Sequence, residues 1–237
     1  VDGSIQGCQS GEHGGAIYVD RIDDKQPLFA LSDVEIGVVG NGNSADSDGG
    51  GMYVESADTP MVVLDATCEL VDNTALGGRG GHFFVEASSP TDEVSGVQWV
   101  DGIQCSGGSA LNGGTLAWNQ GILNLDSGST GWIDVLASTA TGDGGVIWGG
   151  DNITLALDAV VDGTVSAGGD GGAIRLGDNA SISSNSHSSF TGDITAGNDG
   201  GLLRMGDDAT FADVNWQQPT GAMSAGADGG ILRFGDN

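Results

Sequence analysis

Basic residues and long apolar runs are what this sequence lacks most. Its 237 residues include 6 Lys and Arg against 33 Asp and Glu, which gives a formal net charge of −27 at pH 7. A surface so uniformly negative repels nucleic acid and anionic membranes, so we expect neither as a partner. No window approaches the run of about 20 apolar residues that a membrane-spanning helix needs, so we expect no membrane insertion.

Cysteine is scarce as well. Cys8, Cys68 and Cys105 form no C-x-x-C pair, and an odd count allows at most one internal disulfide bond. We expect buried thiols, because cysteine packs as a small apolar side chain. Charged residues make up only 16% of the chain and apolar residues 38%, so the composition allows a continuous core and argues against wholesale disorder.

Glycine, in contrast, is abundant and regularly placed. The 45 glycines are roughly a fifth of the chain, against a usual share of about 7%. Many belong to a phrase that occurs eight times, in which a glycine pair is followed by apolar residues. The second glycines of the pairs are Gly15, Gly50, Gly81, Gly114, Gly145, Gly172, Gly201 and Gly230. Their spacing of 27 to 35 residues indicates a repeat protein.

Apolar residues within each unit recur at every second position, which is the period of a β-strand and not of a helix. Two residues after the second glycine stand Ile17, Met52, Phe83, Leu116, Ile147, Ile174, Leu203 and Leu232. Short strands joined at glycine corners cannot bury their apolar faces alone, whereas stacked units build one interior. We therefore predict an all-β parallel β-helix, or solenoid, of about eight coils. We expect residues 1–237 to form a single repeat domain within a larger chain.

Two of the repeated phrases resemble a known family. Gly14-Gly15-Ala16-Ile17 and Gly171-Gly172-Ala173-Ile174 are similar to the GGA(I/L/V) motif of polymorphic outer-membrane proteins and related autotransporter passengers. Leu70-Val71-Asp72-Asn73 looks like a degenerate copy of the FxxN motif that this family adds. The resemblance implies a right-handed β-helix, located outside the cell or on its surface and used for adhesion or as a stalk.

Aspartate forms two columns at fixed places in the units. The first column lies two residues before the second glycine and contains Asp48, Asp143, Asp170, Asp199 and Asp228. The second lies six residues after it and contains Asp151, Asp178, Asp207 and Asp236. Like charges stacked about 5 Å apart need compensation. Calcium could bridge neighbouring carboxylates, but we prefer a role in which each aspartate caps its glycine turn by bonding its own backbone while solvent screens the remaining charge.

A third column, three residues after the second glycine, is predicted to face outward and is called the outer column below. Its members are Tyr18, Tyr53, Phe84, Ala117, Trp148, Arg175, Arg204 and Arg233. Aromatic and arginine side chains are typical of interaction surfaces, and a flat stripe of rings could stack on a glycan. Alternatively, the column stabilises the sheet and its arginines neutralise the aspartates. The apolar Val146, Leu202 and Ile231, predicted to lie beside it, favour a surface covered by a partner or another copy.

Catalysis is disfavoured by the residues that are present. A polysaccharide lyase of this architecture needs a basic residue to abstract a proton beside bound calcium. The chain has one lysine and five arginines, and three of those arginines stand in the outer column. His13, His82 and His187 belong to distant units without a nucleophile. We predict that the chain is not an enzyme, and we rank a polysaccharide lyase or hydrolase last.

Two N-glycosylation sequons occupy equivalent places in successive units, at Asn152 and Asn179. Gly-Asp-Asn is also a favourable turn, and we prefer that role. For the whole chain we predict an extracellular structural protein, a β-helical rod or filament subunit that associates with copies of itself. The alternative is an adhesin or carbohydrate-binding passenger domain that uses the outer column.

Overall fold

The computed structural model describes residues 3–20, 29–56, 62–65, 68–87, 97–100, 103–125, 133–184, 188–212, 216–217 and 219–235. Every regular element in these residues is a β-strand. No helix in this part of the chain has the length and apolar character needed to cross a membrane.

The described residues form short strands separated by tight corners. In chain order they are β1 (Gly3–Ile5), β2 (Gln9–Ser10), β3 (Ile17–Val19), β4 (Phe29–Leu31), β5 (Val34–Ile36), β6 (Ser44–Ala45), β7 (Met52–Ser56), β8 (Val62–Asp65), β9 (Glu69–Val71), β10 (Thr74–Arg79), β11 (Phe83–Ala87), β12 (Val97–Val100), β13 (Ile103–Asn112) and β14 (Leu116–Trp118). There follow β15 (Gly121–Leu125), β16 (Ile133–Ala140), β17 (Ile147–Gly149), β18 (Ile153–Leu157), β19 (Ala159–Val161), β20 (Val165–Ala167), β21 (Ile174–Leu176), β22 (Ser181–Ser183), β23 (Ser189–Phe190), β24 (Ile194–Ala196), β25 (Leu203–Met205), β26 (Thr210–Phe211), β27 (Met223–Ala225) and β28 (Leu232–Arg233).

These strands stack into parallel sheets that take one strand or two from each unit. The first sheet follows the order β1-β5-β9-β13-β16-β20-β24-β27, with β2, β6, β10, β19 and β23 beside this path. The second follows β3-β7-β11-β14-β17-β21-β25-β28, and two smaller sheets follow β4-β8-β12 and β15-β18-β22-β26. Successive units therefore wind as a parallel β-solenoid, which confirms the predicted class. Its complete turns are slightly fewer than the eight coils predicted, because the last unit contributes only β27 and β28 among the described residues.

The predicted inward column lies in the core. Its eight members pair in register across the stacked strands of the second sheet. The six members from Met52 to Leu203 are buried, and each withdraws an apolar side chain from water, worth roughly 1.5–3 kcal/mol. Leu232 is 38% exposed, because no described turn covers it.

The prediction that Val146 and Leu202 lie on the outer face is wrong. Both are buried in the main apolar core, and only Ile231, their equivalent in the last described turn, is exposed. These residues directly follow the glycine pair, where the chain is still turning, and the strands begin one residue later, at Ile147 and Leu203. The alternation of a strand therefore does not extend back into the corner.

The two glycines of each pair are required for different reasons. The first has a positive φ in all eight units, between 63° and 69°. Residues other than glycine rarely adopt this backbone conformation. The second packs against the following turn: a Cβ added at Gly172 would overlap the backbone oxygen of Gly201. The equivalent overlap recurs in every pair except the last, since a Cβ added at Gly230 meets no atom within 4 Å.

The three cysteines are free thiols, and the prediction that they are buried is confirmed for two of them. Cys68 and Cys105 are buried, and Cys8 is half-buried. Burial raises the pKa of the Cys105 thiol, and the negative charge of Asp134 adds to the effect. The interior cysteines therefore serve as small apolar side chains of the core.

Candidate functional site

The outer column stacks in register along the second sheet. Tyr18 pairs with Tyr53, Tyr53 with Phe84, and Phe84 with Ala117. Ala117 then pairs with Trp148, Trp148 with Arg175, Arg175 with Arg204, and Arg204 with Arg233. The sequence interval between glycine pairs was therefore sufficient to predict which of these residues are neighbours.

The aromatic half of the outer column is largely covered, which corrects the expected flat exposed stripe. Tyr53, Phe84 and Ala117 are buried in a second apolar cluster, with Trp148 packed against it. The rings of Tyr18 and Tyr53 stack with centroids 5.1 Å apart and planes 7° apart. Tyr18 alone among these rings is half exposed, at 50%. Burial and a hydrogen bond to Glu86 raise the pKa of Tyr53.

Arg79 covers the buried rings. Its guanidinium lies 4.3 Å from the centroid of Phe84 and 5.6 Å from that of Trp148. The same side chain donates to Asp48, with Nε 3.1 Å from Oδ1 and Nη2 2.8 Å from Oδ2, and its backbone N–H adds a bond of 2.7 Å to Oδ1. In its own unit, Arg79 stands where the first aspartate column has Asp, two residues before Gly81. That substitution is the signal in the sequence that could have predicted the contact with Asp48.

The first aspartate column is a hydrogen-bond ladder between turns. The backbone N–H of Asp170 donates to Oδ1 of Asp143 at 2.8 Å, that of Asp199 to Asp170 at 3.3 Å, and that of Asp228 to Asp199 at 2.9 Å. In the second column, Asp178 donates to Asp151 and Asp207 to Asp178, each at 2.9 Å. These contacts correct the expected cap on each aspartate's own backbone, because each carboxylate accepts from the backbone of the following turn. That donor partly compensates the stacked negative charge.

The arginines of the outer column stand beside the second oxygen of these aspartates. Nε of Arg175 lies 3.9 Å from Oδ2 of Asp143, and the equivalent distances are 3.7 Å from Arg204 to Asp170 and 4.0 Å from Arg233 to Asp199. All these side chains are partly exposed, so each ion pair stabilises by about 1 kcal/mol at most. The guanidinium of Arg175 also lies 5.7 Å from the centroid of Trp148.

No group of three or more His, Cys, Asp or Glu in the described residues is placed to hold a metal ion. The ladder carboxylates instead accept backbone hydrogen bonds, and those of the first column also face arginine. Calcium binding stays a prediction. Asp236 and His187 lie outside the described residues.

Both sequon asparagines lie on exposed turns. Asn152 and Asn179 have φ values of 56° and 55°, and the equivalent Asp208 has 53°. This left-handed conformation is one that Asn and Asp adopt more readily than other side chains, which accounts for the Gly-Asp-Asn turn. Glycosylation of the two asparagines stays a prediction.

A column of buried polar side chains inside the solenoid was not predicted. Nδ2 of Asn43 donates to the Ile5 carbonyl at 2.8 Å, and Nδ2 of Asn73 donates to the Ile36 carbonyl at 2.7 Å. Oδ1 of Asn73 accepts from both the backbone N and Nδ2 of Asn43 at 3.0 Å. Asn73 is the asparagine of the degenerate FxxN phrase, so that phrase was the available signal.

Parallel stacked sheets, an apolar interior and ladders between turns define a parallel β-helix repeat protein. No family model, curated protein or solved structure matches this chain. Its assignment to this class therefore depends on its own strand topology and register.

Proposed function

We propose that this chain is an extracellular structural protein, a stiff rod built of stacked β-helix turns. The observation that carries the proposal is the ladder of hydrogen bonds between equivalent aspartates along the axis, accompanied by equivalent Arg–Asp pairs. Polar groups that could bind a substrate are instead used to join one turn to the next. This use of the carboxylates supports a role without catalysis.

The proposed class of rod is the GGA(I/L/V)-repeat β-helix of surface and autotransporter passenger proteins. Two features support it: the glycine pair stands at the same corner of every unit, and Asn43 and Asn73 stack inside the turns. The net charge of −27 would keep neighbouring rods from bundling sideways. A location outside the cell or on its surface follows from this class and is part of the proposal.

Self-association is the second part of the proposal. In the last described turn Ile231 is 49% exposed and Leu232 38% exposed, whereas their equivalents one turn earlier, Leu202 and Leu203, are buried. The surface that fits this exposed face is another solenoid turn, because each earlier turn is covered by the turn that follows it. We propose that this face is covered in the same way, by a further turn of the same chain or by a turn of another copy.

We expect the sedimentation coefficient of the purified chain to rise with protein concentration. Leu232→Glu should remove this rise, because a carboxylate on the covered face would be desolvated without a partner. Leu111→Glu is the matched control, since Leu111 is 43% exposed on the side of the solenoid. A single species of monomer mass at every concentration would contradict self-association.

An adhesin that binds glycans is the second candidate, and the half-exposed ring of Tyr18 favours it. On a glycan array, Tyr18→Ala and Trp148→Ala should each reduce binding of the chain at least about fivefold, because loss of one ring stack is worth about 1–3 kcal/mol. Leu76→Ala removes an exposed side chain elsewhere and should leave binding unchanged. Equal binding by all three variants would contradict the adhesin.

A further inference from the structure

His82 is a titratable side chain buried completely inside the solenoid. Its Nδ1 lies 2.9 Å from Nδ2 of Asn73. The orientation of that amide is determined by its other bonds, since Oδ1 accepts from Asn43 and Nδ2 donates to the Ile36 carbonyl. Nδ2 is therefore the donor to His82, Nδ1 is the acceptor, and the proton of the neutral ring is on Nε2.

Beyond Asn73, the ring meets only the backbone of Ser106 as a group that favours a positive charge, and burial outweighs that contact. Nε2 is buried and has no hydrogen-bond partner in the described part of the chain. It packs against Gly108 of the next turn, where an added Cβ would stand 2.8 Å from Nε2. A second proton would go to Nδ1, where it would meet the amide hydrogens of Asn73.

No charged side chain nearby compensates a positive ring. The charged residues on the elements around His82 are Asp46, Asp48, Glu55, Glu69, Asp72, Arg79 and Glu86. None of them acts on the pKa of His82. Asp48 is engaged by Arg79, Asp72 accepts from the N–H of Gly40, and Glu86 accepts from Tyr53.

We propose that His82 makes the N-terminal half of the solenoid sensitive to acid, because a proton on Nδ1 breaks the bond to Asn73 and opens the turns that Asn43 and Asn73 connect. Later in the chain, the positions equivalent to Asn73 and His82 hold Val165 and Ala173 in one unit and Ile194 and Leu202 in the next, and all four are apolar and buried. The C-terminal turns therefore lack this device in their described residues. The proposal does not depend on the proposed function.

The direction of the pH dependence follows from the buried state. Burial lowers the pKa of His82 to about 3 from its ordinary 6.5, and a backbone hydrogen bond with Ser106 acts in the opposite direction. A group whose pKa is lowered by folding binds a proton more tightly in the opened or unfolded chain than in the folded one. The closed form, in which His82 is buried and neutral, is thus fully favoured above about pH 6.5. The equilibrium constant for closed over open turns falls about tenfold per pH unit between about pH 6.5 and pH 3.

Hydrogen exchange followed by mass spectrometry tests this proposal. After correction for intrinsic exchange rates, protection of residues 36–52 and 68–87 should fall up to tenfold per pH unit below about 6.5. Protection of residues 165–183 and 194–205 is the internal control and should not fall in parallel. His82→Thr introduces the residue type that the next turn has at the equivalent position, Thr115. This variant should remove the difference in acid response between the N-terminal and C-terminal halves. An equal response of both halves, or an unchanged difference in the variant, would overturn the proposal.

Nuclear magnetic resonance of the unsubstituted chain keeps the proposal testable if His82→Thr does not fold. Long-range ¹H–¹⁵N spectra should show His82 as the Nε2–H tautomer and still neutral at pH 5. A ring that titrates near pH 6.5 without loss of protection around it would refute the acid-sensitive device.

Discussion

Gly172→Ala is expected to lower the free energy of unfolding by about 4 kcal/mol or more, which is beyond the range of most single substitutions. The added methyl group would overlap the backbone oxygen of Gly201 and press on Ile194. Neither neighbour can move aside without displacing the next turn, because backbone atoms of one turn are in contact with those of the other.

Gly230→Ala is the matched control for this substitution. Gly230 occupies the same place in the last described unit, and an added Cβ there meets no atom within 4 Å. Its free energy of unfolding in urea should stay within about 0.5 kcal/mol of the parent chain. Similar losses for Gly172→Ala and Gly230→Ala would show that close stacking of turns is not the reason for the second glycine.

Arg79→Ala is expected to destabilise the chain by about 3 kcal/mol, the lower end of the range for breaking a buried ion pair. The side chain of Asp48 is only 8% exposed and that of Arg79 is 33% exposed. The substitution removes two hydrogen bonds from a buried carboxylate and also uncovers the ring of Phe84. Urea unfolding followed by circular dichroism measures the loss.

Arg175→Ala provides the comparison for Arg79→Ala. Arg175 stands 3.9 Å from Asp143, and both side chains are partly exposed, so its removal should change the free energy of unfolding by less than about 1 kcal/mol. If the two variants lost equal stability, the buried Arg79–Asp48 pair would have no special role in the outer surface.

The inward column could be predicted because strand alternation is a local property. Ile174 and Leu203 lie two residues after a glycine that the sequence shows directly, and equal spacing brings them into register. Leu202 was misplaced because it belongs to the corner, where alternation has not begun.

The covering of the outer column could not be predicted from any one unit. Arg79 reaches Asp48 of the preceding turn and the rings of Phe84 and Trp148. Such contacts depend on the path that a long side chain takes from one turn to the next. The sequence of a single unit does not specify that path. His82 was missed for a similar reason, since its partner Asn73 is nine residues away and meets it only across a corner.

The aspartate ladder also gives the solenoid a polarity. Every bond in it runs from a backbone N–H to the carboxylate of the preceding turn, and every described strand pair is parallel. Two copies that meet along the axis in this register must face the same way, so their contact joins two different surfaces and cannot be two-fold symmetric. Contacts of that kind propagate in a line unless a rotation closes them into a ring.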